Sequence, residues 1–205
     1  MSIRKIFLIR HCRPKIIENV SICLGRKDIP LSKEGIDEAG QLKKYFSNIG
    51  LSGIYSSPLI RARHTAEIIA DKKMNVIIKD GFSELNIGRW DGMSFAEIKE
   101  KYPLEYMERG KDFENYIVEG GESMADCQAR AVKELYNTVQ ETSDNILIVA
   151  HAGVNRAIIS KILGISIKDS FAFKHEYGSV NYLAFDGKKF KVIKIGVSIS
   201  ELSKM

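Results

Sequence analysis

Three cysteines, one tryptophan and four histidines are all that this 205-residue chain holds of those types, and no apolar run reaches the length of a membrane span. Each scarcity excludes something. A spanning helix needs about 20 consecutive apolar residues, so no membrane helix is expected. Cys12, Cys23 and Cys127 are odd in number and lack metal-ligand spacing; they read as free thiols in a reducing compartment. Cys12, Cys23 and His11 together supply no regular ligand set, and no metal is expected. Internal repeats, low-complexity tracts and linkers are missing, so one domain over residues 1–205 is expected. The first residues are basic and lead into a strand-length apolar run without a small-residue cleavage site, which reads as a cytoplasmic start.

The charge balance is modest, with 31 Lys and Arg against 26 Asp and Glu, a net +5. The lysines scatter. No basic stripe interleaved with aromatics is present, so nucleic acid is not an expected partner, while a positive balance helps to attract an anionic substrate. A hydrophobic content of 44% is ample for one α/β domain with a sizeable core.

What is present begins with Ile6-Phe7-Leu8-Ile9, a short buried strand, followed at once by Arg10-His11. Ligands bind at the carboxyl ends of strands in open α/β sheets. An arginine fork beside an imidazole at such an edge suits a phosphate: one group binds oxyanions and the other can attack phosphorus. The arrangement recurs. Asn145 to Ala150 is a second apolar strand, and His151-Ala152-Gly153 follows it before a helix from Val154 to Leu163.

Two further segments complete a constellation. After a β-like piece, 53–55, Ser57 is an expected helix N-cap and Pro58 fits the first helical position. Arg61 then falls in the first turn, where free N–H groups and the helix dipole already favour an anion. Glu84 lies in a glycine-rich loop with Trp90, the only tryptophan. The ring is expected to exclude water around a carboxyl that donates a proton to a departing alkoxide.

The rest alternates helix and strand. A helix capped by Ser32 runs to about residue 48, a second covers 58–71, a strand covers 75–78, and a long helix covers about 122–142 with Met124, Cys127, Ala131, Leu135 and Val139 as a core stripe. Strands over 177–185 and 189–195 join through Asp186-Gly187, a good hairpin turn. Residues 87–119 look irregular and read as an insertion that caps the carboxyl edge. His64 reads as a helix-stabilising side chain and His175 as an exposed one; neither is assigned chemistry.

Taken in order, these segments resemble the histidine phosphatase superfamily in its phosphoglycerate-mutase-like branch: Leu8-Ile9-Arg10-His11, the stretch from Gly25 to Gly35, the run from Ser57 to Ala66, Glu84 with Gly88-Arg89-Trp90-Asp91-Gly92, and the run from His151 to Arg156. The resemblance implies a three-layer α/β sandwich with a mostly parallel central sheet and an inserted cap. It implies that His11 accepts the phosphoryl group, that Arg10, Arg61 and His151 form the phosphate pocket, and that Glu84 is the proton donor. Ala152 and Arg26 are expected to contribute to substrate binding. Cys23 through Leu31 looks more like the α-ribazole phosphatase subgroup than the glycolytic mutases.

Two departures stand out. Cys12 occupies the position after the nucleophile where the family usually has glycine, so the turn is strained or the pocket narrowed, the thiol is an oxidation-sensitive switch, or a small side chain is simply tolerated by a slightly shifted turn. The segment from Arg13 to Ser21 lacks the polar signature common after this motif.

The expected activity is a metal- and cofactor-independent phosphomonoesterase acting through a phosphohistidine on a small phosphorylated metabolite, with α-ribazole 5′-phosphate a candidate. A mutase is disfavoured by the short cap. A non-catalytic phospho-ligand binder is disfavoured by the complete set of five core side chains. Oligomeric state has no decisive signal in the sequence.

Overall fold

The computed structural model describes residues 3–16 and 22–204. Its centre is a six-stranded sheet: β1 (Arg4–Arg10), β2 (Gly53–Ser56), β3 (Val76–Ile78), β4 (Ile146–Ala150), β5 (Val180–Phe185) and β6 (Phe190–Val197), in the spatial order β3-β2-β4-β1-β5-β6. From β3 to β1 neighbouring strands run parallel, whereas β5 and β6 are antiparallel additions. The mostly parallel three-layer architecture is therefore the observed one.

β1 and β4 sit at the middle and are apolar on both faces, as strands covered by helices on each side must be. Ile6 and Leu8 of β1, with Ile146 and Ile148 of β4, face one core shared with α5 (Met124–Gln140) and α6 (Ala152–Leu163). Phe7, Ile9, Leu147 and Val149 face the other, shared with α1 (Lys33–Phe46), α2 (Ile60–Ala70) and α7 (Ile199–Leu202). Each fully buried Leu, Ile or Phe contributes roughly 1.5–3 kcal/mol relative to exposure, so the two central strands are the most strongly held part of the sheet.

Local chemistry explains the helix boundaries. Ser32 caps α1 by accepting from the Gly35 N–H. α5 starts at a capping box of Ser123 and Asp126. The β5–β6 hairpin turns at Asp186-Gly187, where Asp186 Oδ1 accepts two backbone N–H groups and Gly187 has φ 96°.

Two expectations are corrected. α2 begins at Ile60, not at Pro58, and Ser57 is not its N-cap: the Ile60 N–H is received instead by Asp28 Oδ1 at 2.7 Å, from a loop distant in sequence. Residues 87–119 are not irregular. They hold a 3₁₀ turn at Gly88–Trp90, α3 (Phe95–Lys101) with a Ser94–Glu97 capping box, and α4 (Pro103–Lys111), packed around Trp90, Ile98 and Val118. Helices this short and charged leave too little apolar periodicity to be read from sequence.

Candidate active site

The register of the two central strands builds the site. Arg10 pairs with Ala150, so the residues that follow, His11 and His151, leave the sheet side by side. The His11 N–H donates to the Ala150 carbonyl at 2.9 Å, and the two imidazole centroids stand 5.1 Å apart, nearly edge to face. Both rings are buried.

His11 Nδ1 lies 2.7 Å from the Cys12 carbonyl, which can only accept, so Nδ1 carries the proton and Nε2 presents its lone pair. Arg61 Nε points at that lone pair from 3.3 Å. Burial, then Arg61, then Arg10 hold the His11 pKa well below the ordinary imidazole value. The ring is therefore neutral near pH 7.

Arg61 is only 1% exposed, and carbonyls hold its guanidinium: Nη1 donates to Lys27 at 2.9 Å and Nη2 to Gly25 at 2.7 Å. Those carbonyls are set by Asp91, whose carboxylate receives the N–H groups of Gly25 (2.9 Å) and Lys27 (2.7 Å). The Gly-Arg-Trp-Asp-Gly segment thus aims Arg61 through a backbone loop. No carboxylate hydrogen-bonds to Arg61 among the described residues, leaving a buried cation whose charge an incoming anion can neutralise.

Arg10 donates from Nη1 to the His175 carbonyl at 2.5 Å and lies 3.8 Å above the Tyr177 ring, which also faces His11 at 5.6 Å. His151 Nε2 is 2.7 Å from Ser57 Oγ, while its Nδ1 has no partner among the described residues. The hydroxyl expected to cap a helix instead orients an imidazole. The His151 pKa is likewise held well below its ordinary value, by burial, then Arg61, then His11.

Glu84 closes the arrangement beside the N-terminus of α6. Its Oε1 accepts from Leu85 N at 2.9 Å and its Oε2 from Gly153 N at 3.1 Å. A side chain at Gly153 would put a Cβ 2.5 Å from Oε1, so glycine is what lets the carboxylate approach. Ala152, the first residue of α6, stands at the same helix start. Trp90 does not perform the water-excluding role expected of it; its ring fills the cap's own cluster, where an indole is the main apolar body.

Arg26, expected to bind substrate, turns its Nε to the Glu84 carbonyl at 3.2 Å and its Nη2 to Glu122 at 3.0 Å. Arg89 is ion-paired within the cap to Glu105 and Glu119. His175 is buried rather than exposed, pushed down to about 3 by burial, then by Arg156 and Arg10. Cys12 neither strains the turn nor narrows the well: its φ is not positive, its side chain packs into the α1–α2 core, and burial raises its thiol pKa beyond any thiolate role. Residues 17–21 of the unusual segment after Arg13 lie outside the described residues.

Sequence reading missed Ser57 as a partner of His151, Tyr177, and Arg130, which holds the Glu84 loop. Arg130 lies off the apolar stripe of α5, so none of the three carried a local signal.

Two guanidinium groups, two imidazoles and a carboxylate are thus gathered at the carboxyl edge of β1 and β4, a donor set whose chemistry suits a tetrahedral anion. Residues 6–198 match the model of the histidine phosphatase superfamily, branch 1, and the chain belongs to that family. It is a phosphatase of the histidine phosphatase type. It is 29% identical over 197 residues to phosphoserine phosphatase 1 of Hydrogenobacter thermophilus, covering 95% of this chain and 92% of the relative. Similarity to the adenosylcobalamin/α-ribazole phosphatase of Escherichia coli is 23% over 194 residues, covering 93% and 94%. Among solved structures, Bacillus stearothermophilus YhfR superimposes with a TM-score of 0.85 at 26% identity, covering 97% of this chain and 99% of that one.

Proposed function

We propose that this chain is a metal-independent phosphomonoesterase acting on a small phosphorylated metabolite through a phosphohistidine on His11. The observation that supports the reading is the His11 tautomer: the bond from Nδ1 to the Cys12 carbonyl leaves Nε2 unprotonated, its lone pair accepting from Arg61 Nε, a donor that an incoming phosphoryl oxygen can take over.

In the first step the Nε2 lone pair forms a bond to phosphorus as the bond from phosphorus to the leaving oxygen breaks. Arg10, Arg61 and His151 bind the three equatorial oxygens, where charge persists in a loose transition state. The Glu84 carboxyl gives its proton to the leaving oxygen. In the second step water attacks phosphorus and yields a proton to Glu84, and the P–N electron pair returns to Nε2. The N-terminus of α6 at Ala152 adds its dipole to the anion site, and Arg26 adds a half-exposed charge at the rim next to Glu84. Splitting one slow displacement into two easier ones is the gain from covalent catalysis.

The relatives act on phosphoserine and on α-ribazole phosphate by their names, so both belong in a substrate panel, α-ribazole 5′-phosphate first. Turnover of p-nitrophenyl phosphate in excess chelator, with a phosphoryl adduct on His11 that His11→Ala abolishes, is the expected result. No turnover combined with tight inorganic phosphate binding overturns it in favour of a binder. Faster interconversion than phosphate release, stimulated by a bisphosphorylated sugar acid, overturns it in favour of a mutase.

A further inference from the structure

Arg130 of α5 is the most completely engaged side chain near the site, yet it does not enter the chemistry described above. Its Nη1 donates to the carbonyls of Gly81 (2.9 Å) and Ser83 (2.7 Å), and its Nη2 to the carbonyl of Glu84 (3.1 Å). The other edge of the guanidinium forms a fork with Glu122, Nε to Oε2 at 2.9 Å and Nη2 to Oε1 at 2.7 Å. All five N–H donors of the group are spent. Glu122 Oε1 in turn receives the Asn86 N–H at 2.8 Å, and Arg26 bonds both Glu122 and the Glu84 carbonyl.

The ion pair therefore grips the chain on both sides of Glu84, through three carbonyls from 81 to 84 and through the amide at 86. Residues 83–87, between the 3₁₀ turns at Asp80–Phe82 and Gly88–Trp90, have no strand or helix ladder to fix them. A planar fork that bonds a carboxylate on one edge and carbonyls on another sets both position and angle, which an ammonium cannot do. The Arg130–Glu122 pair is itself anchored: α5 begins two residues after Glu122 at the Ser123 capping box, and Cys127 and Ala131, on either side of Arg130, are in the core.

We infer that Arg130, together with Glu122, is the positioning residue that holds the Glu84 carboxyl at the leaving-group oxygen. The inference rests on the reading of Glu84 as proton donor. Its consequence is specific to the leaving group. A substrate whose leaving oxygen is stable as an anion needs no proton, so a misplaced Glu84 costs it little; an alkyl phosphate needs the proton fully.

The test is kcat/KM, which reports the phosphorylation step, over 2,4-dinitrophenyl, p-nitrophenyl, phenyl and ethyl phosphate. Arg130→Lys is expected to lose about thirtyfold or more on ethyl phosphate and less than about threefold on the dinitrophenyl ester. Glu122→Gln is expected to show the same pattern more weakly and serves if Arg130→Lys does not fold. The double variant should lose less than the product of the two single losses, because the pair acts as a unit. An equal loss on every ester, or none on any, overturns the inference, since a merely structural role does not distinguish leaving groups. Glu84→Gln in the same series separates the two layers. If it shows leaving-group dependence and the Arg130 and Glu122 variants do not, the clamp fails alone; if it shows none, the proton-donor reading fails and takes the clamp with it.

Discussion

Acidification is expected to unfold this protein in a window set by its imidazoles rather than by its carboxylates. His11 and His151 are held well below their ordinary value of 6.5, and His175 is pushed down to about 3. All three are buried, and burial is the largest cause for each. Above pH 6.5 these groups are neutral in both states and make no difference. Below it the unfolded chain binds a proton at each and the native state does not, so stability falls as pH falls. Each group contributes up to about 1.4 kcal/mol per pH unit between its unfolded and native pKa, and the three together at most about 4 kcal/mol per unit. Against a total stability of about 5–15 kcal/mol, two pH units are decisive. Glu122 and Asp126, held below their ordinary values of 4.5 and 3.8, keep their contribution above those values and lose it only as the pH falls further, to the depressed native pKa. Urea unfolding followed by far-UV circular dichroism from about pH 7.5 to about pH 4.5 measures the slope. Replacing His175 by Leu should remove about a third of it, while the backbone carbonyl that receives Arg10 stays in place. A flat profile down to about pH 5, or an unchanged slope in His175→Leu, refutes the reasoning.

Arg61→Met is expected to lower kcat by about 10²–10³, the scale for removing one preorganised oxyanion donor, and to abolish the rise in Tm that inorganic phosphate gives the wild type. Ser57→Ala removes the 2.7 Å contact that orients His151; a loss of about fivefold in kcat with an unchanged His11 adduct is expected, since one hydrogen bond to a neutral group is worth about 1 kcal/mol. Cys12 is expected to resist a thiol reagent in the native protein, with Cys23 the first to react, because Cys12 and Cys127 are fully buried and Cys23 is not. Peptide mapping after brief labelling checks the order.

Strand existence, the capping of α1 by Ser32, the core stripe of α5 and the β5–β6 hairpin were legible because each depends on periodicity or on turn chemistry within about ten residues. His11 and His151 were legible as strand-end histidines for the same reason. Ser57 was misread because its local context is that of a helix cap, and only the distant loop carrying Asp28 takes that duty from it. The cap helices were missed although Ser94 with Glu97 and Pro103 mark their starts, because both are too short and charged to show an apolar stripe; the burial of His175 had no local signal.

By itself the sequence determined which side chains leave the strand ends: β1 from Ile6 to Ile9 and β4 from Ile146 to Ala150 are unbroken apolar runs, so both must be central, and the polar residues that follow them must lie at one edge. Only the tertiary structure decided how those groups face one another. The in-register pairing of Arg10 with Ala150 sets the imidazole separation, Asp91 aims Arg61 through carbonyls from 25 to 27, and Arg130 with Glu122 fixes Glu84. Those contacts join residues far apart in the chain, and no local pattern encodes a hydrogen bond whose partners meet only once the sheet has formed.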